Sequence, residues 1–171
     1  MTRLFSLILA IMLFCGCFLF VSCGKEAKIP DDYQIYTDDM ISFAYPDSWT
    51  KTDGDTVILI GETKIGNNIT VVYEEENHFY ETVTLKIFEE QMQPDLEKIG
   101  ISISDVNIAQ TKNDSDLKIT KISYTASFSG QTMKQTLLIT TVKDRTYTVT
   151  VTEAVSDTEL LNNVFTTLTT K

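Results

Sequence analysis

The sequence predicts an α+β fold in a single domain, an antiparallel sheet with helices packed on it, behind an N-terminal export segment. Three observations carry this reading. From Ile101 onward apolar and polar residues alternate in segments joined by Ser129-Gly130 and by Lys143-Asp144-Arg145, and strands joined by such short turns must be antiparallel. Leu85, Phe88, Met92, Leu96 and Ile99, and later Leu161, Val164, Phe165 and Leu168, recur at spacings of three and four, the period of a helix face. The 149 residues from Cys23 to Lys171 are a length that ordinarily builds one hydrophobic core.

The export segment divides the chain into residues 1–22, a signal peptide; 23–32, a cysteine and short linker; and 33–171, the folded domain. Arg3 supplies a positive start, Leu4 to Val21 an apolar run, and Val21-Ser22 a small-residue end, the order of a secretory signal. Because Cys23 follows directly, the segment resembles the lipobox of bacterial lipoproteins. That resemblance implies lipidation: Cys23 would be diacylated through its sulfur and become the first residue of the mature chain. Phe20 occupies the position where the family favours Leu, with Leu19 one residue earlier, and Cys17 is a second candidate for the same role. The alternative is an uncleaved anchor, because eighteen apolar residues lie at the short edge of the roughly 17 to 25 that span a bilayer. Either reading tethers the domain to the cell membrane on its extracytoplasmic side. Gly24 to Pro30 reaches roughly 25 Å at most, so the domain is expected to sit close over the membrane.

Cysteine and charge exclude several classes of chemistry. Cys15, Cys17 and Cys23 all lie in the signal region, which leaves the domain without a thiol nucleophile, a disulfide or a CxxC metal site. Loss of Arg3 leaves 13 basic residues against 24 acidic ones, a net charge of −11, and such a surface repels phosphate backbones. No nucleic-acid partner is expected.

Ile41, Phe43 and Tyr45 alternate onto one strand face, Pro46 ends the ladder, and Trp49 can fold back over the aromatic face. A strand ending in Phe43-x-Tyr45-Pro46-x-x-Trp49 near the start of an exported domain resembles the PsbP-like superfamily, which includes the DcrB-like lipoproteins. The resemblance covers about Tyr33 to Lys171 and implies an antiparallel sheet sandwiched by helices. Members serve mainly as binding or assembly subunits and share no functional residues, so Phe43, Tyr45, Pro46 and Trp49 are carried over as fold residues alone.

Asp53-Gly54-Asp55 reads as a turn into a strand at Val57 to Ile60, whose unbroken apolar run suggests burial on both faces. Gly66-Asn67-Asn68 is a second turn, into Ile69 to Tyr73. Phe79 to Gly100 reads as a helix, although Val83, Leu85 and Ile87 also alternate like a strand; Pro94 should kink or split it and Gly100 stop it. Leu117 and Ile119, then Ile122, Tyr124, Ala126 and Phe128, alternate with a one-residue slip that suggests a bulge. In the last strand Tyr147, Val149 and Val151 face inward, and Thr146, Thr148, Thr150 and Thr152 face the other way. Ser156 and Glu159 form a capping box for the closing helix.

Glu74, Glu75, Glu76 and His78 are the most metal-like cluster, yet consecutive glutamates on a strand point to alternating faces and cannot all converge. The EF-hand spacing is missing there, at Asp53 to Asp55 and at Asp114 to Asp116. HExxH, GxSxG, Walker and dinucleotide patterns are absent, and no spacing singles out a Ser/Lys or carboxylate pair. The expectation is therefore a lipoprotein that is not an enzyme, with no catalytic residues, metal or cofactor. It would be held to the membrane at Cys23 and bind a protein partner at the envelope through residues the sequence does not single out. The alternative is a carrier for a small or lipidic ligand held between the sheet and the Leu85 to Ile99 helix.

Overall fold

The computed structural model describes residues 28–54, 57–61, 66–75, 79–153 and 158–171. The signal segment with Cys23, the Glu76–His78 part of the acidic cluster and Ser156 of the capping box lie outside these residues. The described chain is a mostly antiparallel β-sheet domain with a few helices, in keeping with an α+β fold.

Among the described residues ten strands build two sheets. β3 (Thr50–Asp53), β4 (Val57–Gly61), β5 (Asn68–Glu75), β6 (Ser102–Lys112), β7 (Lys118–Phe128), β8 (Gln131–Val142) and β9 (Arg145–Glu153) form a seven-stranded sheet in the order β3-β4-β5-β9-β8-β7-β6. β1 (Tyr33–Thr37), β2 (Ile41–Pro46) and β10 (Thr169–Thr170) form a smaller one in the order β1-β2-β10. Every neighbouring pair is antiparallel. The hairpin turns lie where the sequence puts them: Ser129 and Gly130 both have positive φ (52° and 80°), the primed geometry that matches strand twist, and Lys143 (φ 56°) opens the next.

One core lies on each face of the large sheet, and the two are offset along it. On the first face Tyr147, Val149 and Val151, all fully buried, pack with Ile60, Ile69, Val71 and Leu138 against the small sheet and a closing helix, α4 (Thr158–Thr167). The small sheet contributes Ile41, Phe43 and Tyr45 from alternate positions, and Trp49 folds back into the same core. Tyr36 stacks on Phe43 with centroids 4.8 Å apart. The helix buries Leu160 and Val164, with Leu168 just beyond its end, while Leu161 and Phe165 are only partly covered. The expected stripe is thus rotated by one residue at its start.

On the second face Ile122, Tyr124, Ala126 and Ile139 pack beneath the segment from Phe79 to Lys98. That segment is helical but broken: α1 (Phe79–Thr82), α2 (Leu85–Ile87), a π-helical turn (Phe88–Met92) and α3 (Gln93–Lys98). The Thr84 side chain accepts from the Ile87 amide at 3.4 Å and restarts the helix after Val83. The π turn just before Pro94 answers the missing proline amide: Gln93 donates five residues back to the Phe88 carbonyl, the wider turn that the proline ring tolerates. Gly100 (φ 85°) then ends α3, its amide on the Glu97 carbonyl and that of Ile101 on the Leu96 carbonyl. The extra residue of the π turn shifts the helical phase, so Phe88 is fully buried with Met92 and Leu96 beside it, whereas Leu85 and Ile99 at the ends of the expected stripe are exposed.

Two further expectations are corrected. The slip between Ile119 and Ile122 is no bulge in β7, whose pairing with β8 runs unbroken from Thr120 to Phe128. Ile119 belongs to the first core and Ile122 to the second, so the parity changes where the strand passes from one core to the other. The irregularity lies in β6, between Ser104 and Asn107, with Asp105 at φ 56°. In β4 Ile60 is buried but Leu59 is 45% exposed, so that strand is covered on one face only.

Candidate functional site

Because the two cores are offset, no helix among the described residues covers half of the second face. The helical segment packs on β6, β7 and β8, and the second core includes no residue of β3, β4, β5 or β9. On those four strands the register aligns Thr52 with Leu59, Leu59 with Thr70, and Thr70 with Thr150 in one cross-strand row. A parallel row carries Val72 and Thr148, and the flanking rows carry Thr50, Asn68 and Thr152 on one side and Glu74 and Thr146 on the other; Thr146 and Thr152 are buried, and the β9 positions between them are half-buried. Glu74 is the single charged residue among them. Pleating and the inward demand of Tyr147, Val149 and Val151 force the threonines of β9 onto this face, as the alternation predicts.

A cavity of about 330 Å³ opens at the boundary between this bare half and the helical cover, walled by Tyr80, Gln110, Thr120, Ile139 and Thr141 with Lys118 at one end. The wall is built by hydrogen bonds. The Thr120 hydroxyl lies 2.8 Å from both the Tyr80 carbonyl and Gln110 Oε1, and the Gln110 amide donates to the same carbonyl at 3.3 Å. Thr141 pairs through its hydroxyl with the buried Thr146 on the same sheet face at 3.0 Å. Burial, helped by the charge of Glu74, raises the Tyr80 phenol above its ordinary value.

A second polar cluster lies on the other face, at the end of β9. The Arg145 guanidinium covers the half-exposed Tyr73 ring at 4.9 Å, and Tyr73 in turn leans on Tyr147 at 5.8 Å. The buried Tyr147 hydroxyl makes no hydrogen bond of ordinary geometry, although Arg145 and Asp38 lie near it; burial raises its pKa, Arg145 lowers it and Asp38 raises it further. Asp38 accepts from the Tyr36 hydroxyl at 3.2 Å and from the amides of Met40 and Ile41 at 2.7 and 2.9 Å, so its role is to hold the β1–β2 turn.

The residues singled out from the sequence do not converge. Glu74 and Glu75 are exposed and face opposite sides of β5, opposite Thr146 and Arg145 respectively, as strand alternation requires. Asp116 forms an ion pair with Lys112 at 2.6 Å. Among the described residues no three His, Cys, Asp or Glu side chains come together as a metal site would require, and no helix is long and apolar enough to cross a membrane. The cavity residues went unnoticed because Tyr80, Gln110, Thr120 and Thr141 belong to four separate segments that only the sheet register unites.

No protein-family model matches the chain, and no curated protein matches it significantly. Its fold is similar to a crystal structure from Bacteroides thetaiotaomicron, at 13% identity over 77% of this chain and 45% of that one, with a TM-score of 0.50. The chain therefore spans less than half the length of that protein. A protein of unknown function from Pseudomonas aeruginosa aligns at 10% identity over 71% of this chain and 82% of that one, with a TM-score of 0.35.

Proposed function

We propose that this chain is a membrane-anchored extracytoplasmic lipoprotein with a PsbP-like domain, tethered at Cys23, that acts as a non-catalytic binding or assembly module for a protein partner of the cell envelope. The observation that carries the reading is the half of the second face that no described helix covers: four paired strands on which Thr50, Thr52, Leu59 and Glu74 are exposed, Thr70, Val72, Thr148 and Thr150 are half-buried, and Glu74 is the one charge. In a chain where 22% of residues are charged, a surface depleted of charge has the composition of an interface core. The acidic excess elsewhere selects a partner whose rim is basic.

The interior under the helical segment favours this reading over a lipid carrier, since Phe88, fully buried, occupies the space between helix and sheet with Met92 and Leu96. Thr70→Lys and Thr150→Lys, which put a charge at the centre of the open face, should abolish co-purification of the partner from solubilised envelopes while the variant chain remains folded. Full co-purification by both variants would rule this surface out. The anchor is tested separately: the intact mass of the membrane-extracted protein should correspond to residues 23–171 plus acyl chains, and a mass with neither truncation nor acylation would exclude the lipoprotein reading.

A further inference from the structure

The cavity beside the open face has a chemistry that the face lacks. Lys112 and Lys118 are direct cross-strand partners at the end of the β6–β7 pair, and like charges placed opposite one another destabilise a sheet. Asp116 takes up Lys112 at 2.6 Å; Lys118 has no hydrogen bond or ion pair through its ammonium group among the described residues. Lys118 is exposed and lines the cavity, so its ammonium group can reach a bound anion. Behind it the wall is preorganised, because Gln110 and Thr120 are already held to each other and to the Tyr80 carbonyl. At about 330 Å³ the space is at the lower end of small-molecule sites, roughly 300 to 1,000 Å³.

We propose that this cavity binds a small monocarboxylate, its carboxylate paired with Lys118 and its apolar body lying against Ile139 and Tyr80. Lys118 is the one cation lining the cavity among the described residues, and a single carboxylate matches its charge. Glu81 also lines the cavity, and its charge opposes every anion there, a dianion such as a phosphate monoester about twice as strongly as a monocarboxylate. The site is separate from the filled helix–sheet interior and does not depend on the partner-binding surface being correct.

The test uses the full chain in detergent micelles, with micelles alone as the blank, and follows fluorobenzoate by fluorine NMR beside phenyl phosphate and benzyl alcohol as competitors. Fluorobenzoate should bind saturably, be displaced by benzoate, and resist displacement by the alcohol and by phenyl phosphate. Lys118→Gln should weaken it at least about ten-fold, the loss expected when one charge-assisted hydrogen bond is removed. Lys118→Arg should retain binding and Lys112→Gln should leave it unchanged. Absence of saturable binding, equal affinity in Lys118→Gln, or competition by the neutral alcohol as strong as by benzoate would each overturn the proposal. Stronger competition by phenyl phosphate would overturn the monocarboxylate assignment. The wild-type selectivity among the probes stands without any variant.

Discussion

The Asn113 amide donates to the Phe165 carbonyl at 3.0 Å, fastening the β6–β7 connection to the end of α4. It also donates to the Leu168 carbonyl, while its own oxygen accepts from the Ser115 and Leu117 amides, each at 3.1 Å. One buried side chain thus shapes a tight turn and satisfies carbonyls that a helix end leaves without partners. Asn113→Ala should destabilise the domain by about 2–3 kcal/mol, the magnitude expected when several buried polar groups lose their partner. Asn113→Asp, which keeps the acceptor but sets a carboxylate oxygen against the Phe165 and Leu168 carbonyls, should destabilise at least as much as Asn113→Ala at neutral pH in chemical denaturation. A wild-type midpoint for Asn113→Ala would show that water replaces the amide at no net loss.

Phe88 is the wedge of the second core, fully buried and tilted against Tyr124 at 5.8 Å. Phe88→Ala should destabilise by about 3–5 kcal/mol through the cavity it leaves, and Phe88→Leu by appreciably less. If Phe88→Ala instead proved nearly neutral in denaturation, the helical segment would not be packed on the sheet as described.

Burial raises the phenols of Tyr36, Tyr124 and Tyr147, with the Asp38 carboxylate adding to the effect at Tyr36. A raised phenol binds its proton more tightly in the folded state, so the folded chain holds more protons than the unfolded chain above the ordinary tyrosine value of about 10. Stability should therefore be constant from neutral pH to about 10 and fall as the pH rises further. Denaturation at successive alkaline pH values measures the fall, and Tyr124→Phe should make it shallower. Stability unchanged far above the ordinary tyrosine value would contradict the burial assigned to these hydroxyls.

Legibility in the sequence followed the strength of local periodicity. β8 and β9 were readable because their turns need positive φ at Ser129, Gly130 and Lys143, and because Tyr147, Val149 and Val151 repeat every second residue toward one core. β1, β3 and β10 were not: Ile35 of β1 is 45% exposed, all four residues of β3 are exposed, and β10 is two residues long, so none carries a buried alternation. The parity change in β7 looked like a bulge because one strand serves cores on both faces, which no single-face pattern describes. The threonine row was visible as a face, but its lack of a helical cover was not, since that depends on where the Phe79–Lys98 segment lands. Lys118 was equally hidden: its opposition to Lys112 arises from hairpin register alone.

The open half of the sheet is the central claim, and photo-crosslinking in the native cell tests it most directly. A photoreactive residue would be placed at Thr150 or Thr70 on the open face, and at Glu90 on the exposed side of the helical segment as the control. One dominant envelope-protein adduct from Thr150 and Thr70, missing from Glu90, is the expected result. Adducts equally frequent from all three positions, or a dominant adduct from Glu90 alone, would contradict the assignment.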